Sequence, residues 1–133
     1  MASTYRLRVV TPEKIYLDEP VEEIVARGAD GDLGVLKGHI PLVTALRTAP
    51  LSIKKDGVMS HYALGGGFLE VGKEVVTILT DAIESPIEID TDRAERALAK
   101  AQTQLTSATD LEKADAVAAV KRAQVRLEIA KRK

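Results

Sequence analysis

The segment Gly31-Asp-Leu-Gly-Val-Leu-Lys-Gly-His-Ile-Pro-Leu42 carries three of the chain's nine glycines and one of its two histidines. Such a run has three chemical readings: a phosphate-cradling loop, a catalytic histidine, or a turn in a sheet. A phosphate loop of the Walker type needs Gly-Lys-Ser or Gly-Lys-Thr after its glycines and then a helix. Here Gly38 is followed by His39-Ile-Pro, and no strand–helix–strand unit surrounds the run, so the dinucleotide fingerprint fails as well. His39 has no serine, cysteine or carboxylate at a spacing that would orient it as a base. On its residues alone the segment is turn-rich chain beside a short strand, Leu33 to Leu36, with a surface histidine. The glycines permit positive φ and close backbone approach.

The flanking sequence reads as more strands. Tyr5-Arg-Leu-Arg-Val-Val10 alternates apolar and polar residues, the period of a half-buried strand, and Pro12 marks a turn or edge. Ile15 to Leu17, Val21 to Ala26, Leu51 to Lys54, Met59 to Leu64, Phe68 to Val71 and Val75 to Leu79 follow. Asp56-Gly57 is a hairpin turn signal, and Gly72-Lys73 separates another pair of strands. Short strands about 8–12 residues apart predict a sandwich or a barrel. His61, within an alternating strand, is expected at the surface.

Beyond residue 88 the chain changes character. All nine glycines and all five prolines precede that point. Residues 1–89 hold nine basic and thirteen acidic side chains, net −4, whereas residues 90–133 hold ten and seven, net +3. Thr91 to Leu105 is free of Gly and Pro, with Asp90 or Thr91 as N-cap and a stripe of Ala94, Ala97, Leu98, Ala101 and Leu105. Thr106 to Asp110 is a polar break with a turn near residue 108, and Asp110 is a candidate cap. Ala116, Val120, Ala123, Leu127 and Ala130 form the stripe of a second helix. A short break joins antiparallel neighbours, so a helical hairpin is predicted. Its stripes are mostly alanine, whose burial yields little at about 25 cal/mol per Å². A loosely docked, movable element is expected. The division reads as 1–88 and 89–133.

Composition excludes several functions. With 133 residues, 45% apolar and 3% aromatic, the chain can build one aliphatic core. A net charge of −1 gives no case for nucleic acid, and the lack of cysteine removes thiolate chemistry and disulfides. Two histidines without a further cluster predict no metal site. A carbohydrate-binding or hydrolytic β-domain would need aromatic platforms or paired carboxylates, and one Phe and three Tyr do not supply them. No apolar run reaches the roughly 20 residues of a membrane span, and the start lacks a signal-peptide pattern, so a soluble intracellular chain is expected.

The order of motifs resembles the epsilon subunit family of F-type ATP synthases, called delta in mitochondria. Gly31 to Leu42 fits its Gly-x-x-Gly-x-x-x-Gly-His-x-Pro-Leu segment. Gly66-Gly-Phe-Leu-Glu-Val71 fits a second hallmark, Leu79-Thr-Asp-Ala-Ile-Glu84 a third, and Val10-Thr-Pro12 opens the pattern. The resemblance implies an N-terminal β-sandwich of about ten strands and a C-terminal α-helical hairpin. It implies a non-catalytic rotor subunit between the gamma stalk and the c-ring of a proton- or sodium-translocating enzyme. The location implied is peripheral, on the cytoplasmic face of the bacterial plasma membrane. Asp32 and His39 become expected partner contacts, against the plain alternative of a turn that closes the sandwich.

Ile89-Asp-Thr-Asp-Arg-Ala94 is similar to an Ile-Asp-x-x-Arg-Ala pattern that helps some bacterial members bind one ATP as a regulatory ligand. With a turn near 108, Arg93 would face a position near 123, and Arg122 and Arg126 share a face there. Three guanidiniums beside a helix N-terminus would suit phosphate. Glu84 could accept from an adenine amino group, and Asp90 could hold Arg93 or cap the helix. Lys100 stands where nucleotide-binding relatives have an arginine, and lysine lacks the guanidinium fork. The alternative is a solvated surface of ordinary ion pairs. The implied regulation has the hairpin either docked or extended among the catalytic alpha and beta subunits, blocking hydrolysis. A second overall reading is a stand-alone ATP-sensing module outside a rotor.

Overall fold

A computed structural model describes residues 3–107 and 109–133. The strands are β1 (Tyr5–Val10), β2 (Ile15–Val21), β3 (Glu23–Gly28), β4 (Gly31–Leu36), β5 (Leu42–Lys55), β6 (Val58–Val71), β7 (Val75–Leu79) and β8 (Ile83–Glu84). They form one sheet in the order β2-β1-β7-β6-β5-β3-β4, with β8 paired to β6. All pairings are antiparallel except β1 with β7. The sheet folds over on itself. Tyr5 on β1 donates its hydroxyl to the Val35 carbonyl of β4 at 2.7 Å, and Lys55 on β5 reaches Glu19 on β2 at 2.7 Å. The enclosed core is aliphatic, with Leu7, Val9, Ile24, Leu51, Leu69 and Ile78 at its centre.

Eight strands among the described residues replace the expected ten, because β5 and β6 each run 14 residues through both layers. Counted once per layer, those two strands restore the sandwich number. Neither length was read from the sequence. Pro50 lies inside β5, where the β5–β3 register is interrupted, so its missing N–H removes no pairing. Gly65 to Gly67 suggested a break in β6, but the strand bends through them, with φ of +85° at Gly66 and +131° at Gly67. Val21 ends β2 opposite Tyr5 instead of opening the next strand. The chain bends at Glu22, whose N–H is held by the Lys54 carbonyl at 2.8 Å. Pro20 is tolerated because β2 is an edge strand. Asp56-Gly57 forms the expected hairpin turn, with positive φ at both residues (52° and 76°).

A 3-10 turn, Pro86–Glu88, leads to α1 (Thr91–Ser107) and α2 (Asp110–Ala130). The Asp90 carboxylate accepts the Arg93 N–H at 3.1 Å and so caps α1. The second cap differs from expectation. Asp110 is already helical, and the Thr109 carbonyl receives the N–H groups of Glu112 and Lys113 at 3.0 Å. The turn expected near residue 108 lies outside the described residues.

The helices meet along Ala94 and Ala101 of α1 and Ala116, Ala123 and Ala130 of α2, all buried. The seven-residue spacing on both helices keeps one small-residue seam facing its partner. Val120, Leu127, Leu98 and Leu105 flank it half-buried, whereas Ala97 is exposed. A second face of α2, absent from the sequence reading, docks on the sandwich: Val125, Ile129 and Ala130 pack on Ala63 and Ile89. This cluster is separate from the sandwich core. A chain truncated after Glu88 is therefore expected to melt as one cooperative unit in circular dichroism. Loss of cooperative melting would show that the hairpin completes the core.

Candidate functional site

Where α2 crosses the sandwich, a crevice is lined by Thr48, Ala63, Gly65, Glu84, Arg122 and Arg126 among others, with about 40 Å³ of free space. Glu84 stands on β8, a strand of two residues held against β6. Its carboxylate receives Arg126 Nε at 2.7 Å and Nη2 at 3.3 Å, a forked pair with both side chains about a quarter to a third exposed. The predicted adenine acceptor is thus engaged by the predicted phosphate ligand. At that exposure the pair contributes no more than about 1 kcal/mol. The docked hairpin rests mainly on Val125 and Ile129, at about 1.5–3 kcal/mol for each buried aliphatic side chain.

The other residues of the expected nucleotide set are spread along the hairpin. Ile89 is buried beneath the end of α2, and Ala94 is buried in the helix seam. Of the two roles open to Asp90, it caps the helix. Arg93 and Lys100 are exposed on α1 and do not line the crevice. The helix register explains this. Lys133 Nζ contacts the Ile89 carbonyl at 2.7 Å and Thr91 Oγ1 at 3.1 Å, so the start of α1 faces the end of α2, beyond the Arg122–Arg126 level. The structure brings Glu84, Arg122 and Arg126 together and leaves Arg93 apart.

Asp32 on β4 is exposed and pairs with Arg27, its cross-strand neighbour on β3, at 3.1 Å. His39 sits in the turn after β4, its N–H bonded to the Leu36 carbonyl at 3.1 Å and its Nδ1 donating to the Ile40 carbonyl at 2.7 Å. Around it Leu36, Ile40 and Val43 are 58–74% exposed. A second apolar row crosses the sheet: Ala45 pairs with Phe68, Phe68 with Leu79, and Leu79 with Val10. Val10, Phe68 and Leu79 line a shallow depression of about 330 Å³ with Pro12 and Gly67. Sequence analysis quotes Val10, Phe68 and Leu79 only within family motifs and not as one surface. The available signal was Phe68, the only phenylalanine, at an outward strand position. An exposed cluster of large apolar side chains on a β-sheet face is the surface feature that marks an interface.

His61, expected at the surface, is half-buried, because the end of α2 covers that face of β6. It shares a groove with Arg132, Ser85 and Pro86, and its Nδ1 lies 2.9 Å from Ser52 Oγ. Burial first, and then the Arg132 charge, depress its pKa below the ordinary 6.5. The docked state therefore favours neutral His61. Docking is expected to weaken as pH falls from about 6.5 through the depressed value and to be unaffected above it. Protease cutting of α2 should rise between pH 7.5 and 5.5, and His61→Gln should flatten that response.

Comparison with known proteins places this architecture. The ATP synthase delta/epsilon chain beta-sandwich domain matches residues 4–86, and the ATP synthase delta/epsilon chain long alpha-helix domain matches residues 88–131. The ATP synthase epsilon chain of Geotalea daltonii is 44% identical over 132 residues, covering 98% of this chain and 96% of its own length. That of Citrifermentans bemidjiense is 42% identical over the same coverage. Among solved structures, a chain of the Euglena gracilis mitochondrial ATP synthase (OSCP, F1 and c-ring) superposes with a TM-score of 0.84 at 28% identity, covering 98% of this chain and 83% of its own. A chain of the Tetrahymena thermophila mitochondrial central stalk and c-ring shares the fold, with a TM-score of 0.63 at 17% identity. The sandwich, the helical hairpin and the sequence thus agree from end to end, and the chain belongs to the delta/epsilon family of ATP synthase chains, as a non-catalytic subunit of that complex.

Proposed function

We propose that the chain is the epsilon-type rotor subunit of a bacterial F-type ATP synthase, joining the gamma stalk to the c-ring on the cytoplasmic face of the plasma membrane. The coupling ion is a proton or sodium. The row Val10, Leu79, Phe68 and Ala45 offers the apolar area that a stalk would cover. Asp32 and the His39 turn, with Ile40 and Val43, form the projecting edge that suits the ring. Within this reading the hairpin is an inhibitor of ATP hydrolysis. Docked, it is silent; extended, it inserts basic residues of α2, among them Lys121, Arg122 and Arg126, between the catalytic alpha and beta subunits. ATP bound to the docked hairpin would favour that state by RT ln(1 + [L]/Kd).

The observation that carries the regulatory reading is the separation of the two apolar clusters, one inside the sandwich and a much smaller one under α2. A regulator of this kind needs a stable body and a weakly held arm. Nucleotide entry would displace Arg126 from Glu84 and open the 40 Å³ crevice. Arg126 and Arg122 would then turn to phosphate, with Glu84 freed for the base. Ile89, Asp90, Arg93, Ala94 and Lys100 would complete the site as the helices shift.

The test has two arms. Tagged chain co-expressed with gamma, c-ring and the hexamer should co-purify with them, and deleting residues 89–133 should raise hydrolysis by the assembled enzyme. Titration calorimetry on the isolated chain should detect ATP, and Arg126→Ala should weaken it about 10-fold or more, the worth of one charge-assisted contact. Absence of heat at millimolar ATP would remove the nucleotide from the mechanism. Failure to co-purify with gamma would remove the rotor.

A further inference from the structure

The segment between sandwich and hairpin is fastened more firmly than its length suggests. Ser85 and Glu88 close this turn on each other: the Ser85 N–H donates to Glu88 Oε1 at 2.9 Å, as in one half of a capping box, and the Glu88 N–H donates to the Ser85 carbonyl at 3.1 Å. The same Glu88 Oε1 accepts the hydroxyl of Tyr16 from β2, 72 residues away in sequence. Tyr16 is itself fixed on both sides. Its ring meets Tyr62 edge-on, with centroids 6.2 Å apart, and Lys14 Nζ lies 5.7 Å from its centroid. All of these partners belong to the sandwich or to the turn; none lies on α1 or α2. Immediately after Glu88 the interactions change owner. Ile89 is buried under α2, its carbonyl receives Lys133, and Asp90 caps α1.

We infer that Tyr16 and Glu88 form a clamp that fixes the hairpin's fulcrum at Ile89–Asp90, so that residues 85–88 stay on the sandwich when the helices leave it. This rests on the reading that the hairpin moves, and it adds where the chain must turn. Tyr16 and Glu88 are positioning residues: they hold the pivot and contact neither nucleotide nor catalytic subunit. The electrostatics agree, since the Tyr16 bond and the Ser85 N–H hold the Glu88 carboxyl below its ordinary value. Ionised Glu88 can accept both bonds at neutral pH. A hairpin pivoting at one fixed point swings through a defined arc. One released at Glu84 would gain about four more residues of slack, roughly 13 Å of extended chain.

Amide hydrogen exchange on the full chain tests this. Ile129→Asp is used to detach α2, and the amides of Ser85 and Glu88 are read separately from those of residues 125–129. The expected result is loss of protection at 125–129 with protection at Ser85 and Glu88 retained. Adding Tyr16→Phe should then raise exchange at Ser85 and Glu88 at least 10-fold, without further change at 125–129. Loss of protection at 85–88 together with 125–129 in the single variant would overturn the clamp. Retained protection at 125–129 would overturn the moving hairpin, and the fulcrum with it.

Discussion

Gly67→Ala is expected to lower the melting temperature of the chain by about 15 °C or more, or to prevent folding. A Cβ at Gly67 would lie 1.9 Å from the Leu79 carbonyl oxygen and 3.0 Å from Thr80 Cα. These are backbone atoms of β7 and the turn after it, where the Thr80 N–H is already tied to the Val10 carbonyl at 3.0 Å, so nothing can move aside cheaply. The φ of +131° adds strain for any residue with a side chain, on the order of 1–3 kcal/mol. Together these place the loss at about 4 kcal/mol, a large share of the stability of a small domain. At about 4–8 °C per kcal/mol the shift follows. Gly57→Ala is the control: its φ of +76° is also unfavourable, but its Cβ meets nothing within 4 Å. It should cost about 1–2 kcal/mol. Thermal melts of both variants check the comparison, and equal effects would mean that strain alone, and not the clash, sets the cost.

Ile129→Asp should have an equally large effect confined to the other half. Ile129 is fully buried between α2 and the sandwich, with Ala63, Ile89, Val125 and Ala130 around it. An unpaired carboxylate there costs several kcal/mol, while the apolar contacts under α2 supply roughly 3–6 kcal/mol. The hairpin is expected to let go. Trypsin should then cut α2 at least 10-fold faster, and the sandwich transition should move by only a few degrees, because its core includes none of these residues. A collapse of the sandwich transition to match Gly67→Ala would show one shared core.

Parts of the candidate site were legible as residues and illegible as an arrangement. Glu84, Arg122 and Arg126 were named from sequence and do line one crevice, but the Glu84–Arg126 fork was not foreseen. Counting from the turn sets Arg93 opposite position 123, whereas Lys133 shows the start of α1 lying against the end of α2. Counting residues gives topology but not the axial offset of two packed helices. That offset is set by which alanines nest together. The apolar row of Phe68 and Leu79 was invisible for a related reason: outward-facing large apolar residues become a patch only when three strands align them.

The two-part construction, the alternation of β1, the Asp56-Gly57 hairpin, the helices with their alanine seam and the motif order that marks the family are all readable from the residues. Each is encoded within a few residues, as a period, a turn pair or a propensity. Long-range pairing makes β5 and β6 run through Pro50 and Gly65–Gly67, because a bend and a break have the same local composition and differ only in what pairs alongside. Packing between distant elements likewise gives α2 a second buried face at Val125 and Ile129, brings Tyr16 to Glu88 and covers His61 with the end of α2. These contacts join residues far apart in the chain. Their existence depends on the sandwich being closed before the helices have a surface to meet.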